Sequence, residues 1–231
     1  MTISVVIPTR EHVNPATGRP YFERAVASAE AQVGDFQVNA TVGVDRSPAP
    51  IGQAKIVNEV VARCDGDFLA FLEDDDTWDP NKLSVQLPLL EHFDLVTCNQ
   101  REVNERGAFL SYSYYPTPSG WLMRRSTWDL VGGLDERLRF HVDTDWLGRA
   151  NQVGLRRVHI VQATADTKIG NWTTNMTASS IVVGPLPEPL VTRTIRDGSI
   201  TGRIKRDREF RIRSDLDYQT IRRRFGGSLP W

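Results

Sequence analysis

Four consecutive acidic residues, Glu73, Asp74, Asp75 and Asp76, directly follow an uninterrupted apolar run over residues 68–72. A run without polar alternation predicts a strand buried on both faces, as in the centre of a parallel sheet. The acids then lie at the carboxyl end of that strand, where open α/β sheets bind their ligands. Adjacent carboxylates repel one another, and their oxygens suit Mg²⁺ or Mn²⁺, ions that also hold substrate phosphates. We therefore predict metal and phosphate binding here rather than the alternative, a solvated acidic turn.

Alternating strands and helices surround this cluster. Apolar runs and helical spacing predict strand, helix, strand, helix, strand over 3–7, 21–32, 38–44, 52–63 and 68–72. This order is typical of a doubly wound, mainly parallel sheet with helices on both faces. Asp79 and Pro80 fit the N-cap and first position of a helix that reaches about residue 92. Beyond it we predict a strand over 95–98, a hairpin over 100–115, a strand over 120–125, helices over 126–131 and up to 152, and a last core strand over 158–161.

Composition places the chain among ordinary globular proteins. It has 231 residues, 40% of them hydrophobic and 25% charged, with a net charge of −1. No apolar run has the length of a membrane helix, and the first residues lack the features of a signal peptide. The two cysteines, Cys64 and Cys98, suggest no disulfide framework. These observations predict a cytoplasmic protein.

With these elements placed, the chain resembles the family 2 glycosyltransferases, which have the GT-A fold. The resemblance depends on the order and spacing of several motifs between about residues 3 and 161. They are Val5-Val6-Ile7-Pro8-Thr9, Asp45, Asn58 with Gly66-Asp67, Glu73 to Asp76 with Trp78 and Pro80, Gly132-Gly133-Leu134-Asp135, and Asp143-Thr144-Asp145 with Arg149.

The resemblance implies a nucleoside-diphosphate sugar as donor and transfer with inversion at the anomeric carbon. Mn²⁺ or Mg²⁺ on Asp75, with Asp76 beside it, would neutralise charge on the departing diphosphate. Glu73 stands where the family has the first acid of its DxD motif, so we expect it to orient donor hydroxyls or the waters of the metal. Asp74 would support the site through its charge.

The resemblance also assigns residues to the acceptor side. Asp143 is the expected catalytic base, with a helix N-cap as its alternative role, and Asp145 could exchange roles with it. Trp146 is the best placed of the tryptophans to stack on an acceptor sugar. Core packing is the alternative for it and for Trp121, Trp128 and Trp172.

Pro8, Thr9, Arg10 and Asp45 are expected to hold the nucleobase and ribose, although Asp45 is also a plausible turn residue. The chain departs from the family in its second helix, where Val57 replaces the usual Arg. Lys55, or a residue of the basic C-terminal segment, would then contact the phosphate. The family's metal-binding His is also missing from 164–177, which leaves water or phosphate oxygens as the third ligand.

The sequence divides into a predicted GT-A domain over 1–184 and a basic C-terminal extension over 185–231. Between residues 193 and 224, eleven basic residues face five acidic ones. The extension could fold over the donor site or join a second copy in a homo-oligomer; alternatively, it binds a polyanionic acceptor such as nucleic acid. The interspersed acids favour the first interpretation.

Two other functions stay open at this point. The Val57 in place of the family's Arg and the missing His also fit a sugar-nucleotide-binding module without catalysis. Nucleotidyl transfer would use the same metal, but residues 9–19 contain only Gly18 and hence no glycine-rich phosphate loop. The acceptor, whether glycan, protein or nucleic acid, is not indicated by any motif.

Overall fold

The computed structural model describes residues 1–48, 51–162, 179–184 and 188–227. The described residues form strands β1 (Thr2–Thr9), β2 (Gln37–Val44), β3 (Phe68–Phe71), β4 (Thr77–Trp78), β5 (Leu95–Cys98), β6 (Gln100–Asn104), β7 (Phe109–Ser113), β8 (Leu122–Arg124), β9 (Arg157–Gln162), β10 (Ser179–Gly184) and β11 (Val191–Ile195). The α-helices are α1 (Tyr21–Glu30), α2 (Gln53–Val61), α3 (Lys82–Gln86), α4 (Arg125–Val131), α5 (Val142–Gln152), α6 (Ile200–Arg206) and α7 (Arg208–Arg224).

The larger sheet has seven strands in the order β10-β9-β5-β8-β3-β1-β2. Neighbouring strands run parallel except β8, which is antiparallel to both β3 and β5. Every residue of β3 is buried. The predicted α/β architecture with a mainly parallel sheet is confirmed.

Helices cover both faces of this sheet. Side chains alternate between the two faces of each strand, so apolar residues on both faces need a partner to pack against. Ile3, Val5 and Ile7 of β1 pack in one apolar cluster with residues of α1 and α3. Val6 of β1 belongs to a second cluster, which includes residues of α2, α4 and α5. The strands therefore end in a packed frame, and the acidic residues that follow β3 are themselves largely buried in it.

A second sheet, in the order β4-β11-β6-β7, joins the C-terminal segment to the acidic loop. β4 begins directly after Asp76, and β11 pairs antiparallel with it and parallel with β6. Residues far apart in sequence thus lie side by side next to the acids. The proposed boundary between residues 184 and 185 stays a prediction.

Three local predictions were wrong. The helix expected up to residue 92 ends at Gln86 and continues as a 3₁₀-helix over Leu87–Glu91, because Pro88 lacks the N–H that an α-helix needs. Asp79 is not the N-cap of α3: it accepts a hydrogen bond from the Asn81 N–H (2.8 Å) in the turn before the helix. The strand over 158–161 is not the last of its sheet, since β10 pairs with it.

None of the helices in the described part of the chain combines the length and the apolar character needed to cross a membrane.

Candidate active site at the carboxyl end of β3

The four acids leave β3 together at its carboxyl end. Asp74, Asp75 and Asp76 are buried, and Glu73 is partly buried. Glu73, Asp75 and Asp76 each offer a carboxylate oxygen, and these oxygens lie within 4.8 Å of one another. Three oxygen donors at this separation match the ligand chemistry of Mg²⁺ or Mn²⁺.

Asp76 ties three segments of the chain together. Its Oδ2 accepts a hydrogen bond from Ser119 Oγ (2.6 Å), and its Oδ1 accepts one from the backbone N–H of Thr194 in β11 (2.9 Å). Ser119 Oγ in turn accepts from the Glu73 N–H (3.1 Å). Complete burial, followed by the charges of Asp75 and Glu73, raises the pKa of Asp76 well above its ordinary value. Asp76 therefore fixes the shape of the acidic loop.

Glu73 and Asp74 are held from the opposite side. Gln53 of α2 donates a hydrogen bond to Glu73 Oε1 (3.0 Å), and Thr9 Oγ1 of β1 donates one to Asp74 Oδ2 (2.6 Å). Burial and then the charge of Asp75 raise the pKa of Asp74 to about 6. Burial also raises the pKa of Glu73, although the charge of Arg193 opposes the shift. The neighbouring carboxylates thus add to one another's raised pKa, and a bound cation would favour their charged forms.

The C-terminal segment supplies arginines at this site. Arg196, directly after β11, donates a hydrogen bond from Nε to Asp75 Oδ2, and its Nη2 lies 3.7 Å from Asp74 Oδ1. Arg193 pairs with Glu102 of β6 at 3.1 Å. Arg24 of α1 donates to the backbone carbonyl of Asp75. The basic extension was predicted, but Arg193 and Arg196 could not be selected from the sequence, because the pairing of β11 with β4 brings them to the acids.

The residues predicted to bind the nucleoside lie beside Asp74. Thr9 contacts Asp74, as described above, and Pro8 precedes it at the end of β1. Asp45 accepts hydrogen bonds from the N–H groups of Ser47 (2.9 Å) and Ile51 (3.1 Å) and lies 3.4 Å from Arg10 Nη1. Burial raises the pKa of Asp45, but these hydrogen bonds and the Arg10 charge outweigh it, and the net shift is downward. In this structure the Asp45 carboxylate therefore organises the loop after β2.

Lys55, the predicted phosphate contact, is exposed on α2. Gln53 is the residue of this helix that reaches the acidic cluster. Sequence analysis missed it, because an amide in the first turn of a helix carries no local signal of function.

Asp143 lies in the first turn of α5 and is partly exposed. Its Oδ1 accepts a hydrogen bond from the Thr144 N–H (2.8 Å), and Tyr115 bonds to Thr144 Oγ1 (2.7 Å). Burial, followed by the charge of Asp143, raises the pKa of Tyr115 well above its usual value. The Asp143 charge also contributes to the raised pKa of Glu73. Glu73 and Val142, the residue before Asp143, line the same cleft, so the structure places the start of α5 next to the acidic cluster.

Asp145 and Trp146 point into the protein instead. Asp145 is fully buried and accepts hydrogen bonds from Arg149 Nε (3.0 Å) and Arg224 Nη1. Trp146 is also fully buried, with its indole N–H on the Gly132 carbonyl (2.9 Å) and its ring stacked on Trp128. A ring in this position packs the core and is not accessible to an acceptor sugar, so the alternative role, core packing, applies to Trp146. Trp172 lies outside the described residues.

Comparisons with known proteins agree with this geometry. The Glycosyl transferase family 2 model matches residues 31–131, a range that contains the acidic cluster and ends before Asp143. No curated protein matches the sequence significantly.

Several solved structures share the fold of the chain. S. aureus TarS 1-349 in complex with UDP-GlcNAc is 15% identical with a TM-score of 0.59, over 99% of this chain and 74% of TarS 1-349. The mannosyltransferase PcManGT from Pyrobaculum calidifontis, in complex with GDP-Man and Mn²⁺, is 12% identical with a TM-score of 0.59, over 99% of this chain and 66% of PcManGT. The chain therefore combines a segment that matches the Glycosyl transferase family 2 model, and that contains the acidic cluster, with the fold of the GT-A glycosyltransferases.

Proposed function

We propose that this protein transfers a sugar from a nucleoside-diphosphate sugar to an acceptor hydroxyl, with inversion and with the help of a divalent cation. The observation that carries the proposal is the group of three carboxylates suited to a cation, with a fourth, Asp143, near enough on a separate element for its charge to act on Glu73. One group of acids can serve the leaving diphosphate while the other serves the attacking hydroxyl.

Asp75 and Asp76 would hold the cation, with Glu73 beside them. The donor set fits, because these oxygens lie close together and belong to carboxylates alone. Asp76 keeps its hydrogen bonds to Ser119 and Thr194 in this role, since each carboxylate oxygen accepts more than one bond. A bound divalent cation neutralises the charge that develops on a departing diphosphate. PcManGT, which shares the fold, is seen with GDP-Man and Mn²⁺.

Asp143 would take the proton of the acceptor hydroxyl. Its partial exposure leaves the carboxylate open to an acceptor, while the Thr144 N–H fixes its orientation. A base on the side of the sugar opposite to the diphosphate is what a single displacement with inversion requires. Tyr115, bonded to Thr144, supports the same turn of α5.

The nucleoside would bind at the ends of β1 and β2. Thr9 links this region to Asp74, and Arg10 and Asp45 form an ion pair in it. The carboxyl ends of parallel strands are where such folds bind nucleotides. TarS is seen with UDP and with UDP-GlcNAc, which makes uridine and guanosine diphosphate sugars the first donors to examine.

The experiment incubates the purified chain with UDP-GlcNAc or GDP-mannose and Mn²⁺ and measures release of the nucleoside diphosphate, with and without candidate glycan acceptors. We expect release that EDTA abolishes and that Asp75→Asn lowers at least about 100-fold. Asp143→Asn should abolish transfer and leave Mn²⁺-dependent donor binding intact. Asp129→Asn, on the exposed side of α4, is the control.

Donor binding without any turnover would instead identify a binding module. The configuration of the new glycosidic bond, read by NMR, tests inversion, and a retained anomeric configuration would contradict the single displacement.

A further inference from the structure

Arg196 lies on the acids that we propose as the cation site, although it is 121 residues away from Asp75. Its Nε donates to Asp75 Oδ2, its Nη2 lies 3.7 Å from Asp74 Oδ1, and its guanidinium stands 5.1 Å from the centroid of the Tyr21 ring. The side chain is only 12% exposed. The guanidinium is thus held against an aromatic ring with its donors directed at the site.

The backbone of Arg196 is held independently of this ion pair. β11 pairs with β6 up to Ile195, and Thr194 N–H bonds to Asp76. After the strand, the carbonyl of Arg196 accepts a hydrogen bond from Ser199 Oγ (2.8 Å). The side chain can therefore change its partner while the backbone stays in place.

Asp75 cannot serve Arg196 and a divalent cation equally well. Both groups are positive, and a cation on the same carboxylate would repel the guanidinium at short range in a buried site. A nucleoside diphosphate next to the cation supplies the alternative partner. The planar fork of an arginine matches phosphate oxygens as well as it matches carboxylates.

We propose that Arg196 is the diphosphate-binding residue of this enzyme: it neutralises Asp75 in the donor-free protein and exchanges Asp75 for the diphosphate when cation and donor bind. This inference depends on the proposed function and names the group that replaces the basic residue missing at Val57. It has a specific consequence. Arg196 opposes binding of the cation alone and favours binding of the cation together with the nucleotide.

The test measures Mn²⁺ binding without nucleotide, and then UDP and GDP binding at saturating Mn²⁺, by calorimetry on the full chain. For Arg196→Gln we expect Mn²⁺ alone to bind about tenfold more tightly, because a charged hydrogen bond to Asp75 no longer competes. The nucleotide that the wild type binds should bind at least about tenfold more weakly. Arg196→Lys should retain part of the nucleotide affinity, since it keeps the charge but not the fork. Arg213→Gln, from an exposed pair on α7, is the control.

A second pair of variants moves Arg196 without changing any charge. A Cβ at Gly202 would lie 2.2 Å from the Arg196 carbonyl oxygen, whereas one at Gly198 meets no atom within 4 Å. Gly202→Ala should weaken nucleotide binding several-fold, and Gly198→Ala should behave as the wild type. These variants keep the inference testable if Arg196→Gln fails to fold.

The outcomes separate the two claims. If the wild type binds Mn²⁺ and nucleotide but Arg196→Gln leaves both affinities unchanged, or weakens both, the inference is wrong and the proposed function stands. If the wild type binds neither Mn²⁺ alone nor UDP or GDP with Mn²⁺, both are wrong. Opposite changes in the two affinities support the inference.

Discussion

Asp143 and Asp145 are two positions apart at the start of α5, and their surroundings assign them different roles. Asp143 is partly exposed at the cleft. Asp145 is fully buried and bridges Arg149 of its own helix and Arg224 of α7. The sequence motif could not distinguish the two aspartates, because Arg224, which pairs with Asp145, lies near the C-terminal end of the described residues. The structure therefore favours Asp143 as the base and a structural role for Asp145.

Replacing Asp145 by Asn should destabilise the protein without a specific effect on chemistry. Removing one partner of a buried ion pair leaves the others without compensation, and we expect a loss of about 2–3 kcal/mol in the free energy of unfolding. For a chain of this length that loss lowers the melting temperature by roughly 5–10 °C. Thermal denaturation measures this loss. Asp143→Asn is the matched variant, and we expect it to leave the melting temperature unchanged. A reversed order of the two melting temperatures would contradict the assignment.

At the scale of elements, α3 contributes a buried lysine to the frame of the site. Lys82 is fully buried, donates to Gln86 Oε1 (2.8 Å) and lies 4.0 Å from the centroid of the Trp78 ring. Gln86 donates in turn to the Gly120 carbonyl (2.8 Å), next to the Ser119 that holds Asp76. Lys82 and Gln86, one turn apart on α3, thus connect the core to the acidic loop.

Lys82 should make stability depend on alkaline pH. Burial lowers the pKa of Lys82 from 10.5 to about 8, so the unfolded chain binds its proton more tightly than the folded one. The free energy of unfolding should therefore rise between pH 8 and 10.5, by about 3 kcal/mol from this group. Urea denaturation across this window measures it. The difference between the wild type and Lys82→Met should change with pH by that amount, and a constant difference would show that Lys82 titrates normally.

At the scale of the whole molecule, the basic C-terminal segment and the acidic body neutralise each other. Arg193 pairs with Glu102, Arg196 with Asp75 and Arg224 with Asp145. Further arginines pair within the segment, as Arg206 does with Asp197 and Arg213 with Glu209. This distribution favours an arm folded on the donor site over a track for a polyanionic acceptor. Oligomerisation through the extension stays a prediction.

Cation and nucleotide together should stabilise the whole chain more than either alone. A ligand at about 100 times its Kd adds about 2.7 kcal/mol to the free energy of unfolding, or roughly 5–10 °C in melting temperature at this length. A thermal-shift screen of UDP, GDP and their sugars, each with and without Mn²⁺, measures this coupling. If the melting-temperature shift with cation and nucleotide together equals the sum of the two separate shifts, a shared site of cation and diphosphate is contradicted. The additional shift should vanish in Asp75→Asn.

The sequence by itself determined the α/β class with its mainly parallel sheet and the position of the acids. The uninterrupted apolar run over 68–72 requires burial on both faces, so the acids had to emerge at the end of a central strand. Local patterns of this kind also located most helices and the hairpin. They failed at Pro88, where α3 ends early, and at β9, which pairs with a later strand, β10.

Only the tertiary structure decided which groups meet those acids. Thr9, Gln53, Ser119, Thr194 and Arg196 reach them from four separate segments. Only Thr9 belongs to a sequence motif. Thr194 and Arg196 reach the acids because strand pairing between β4 and β11 closes a loop of more than a hundred residues. Such long-range pairing follows from the packing of the whole chain, and a local pattern contains no information about it.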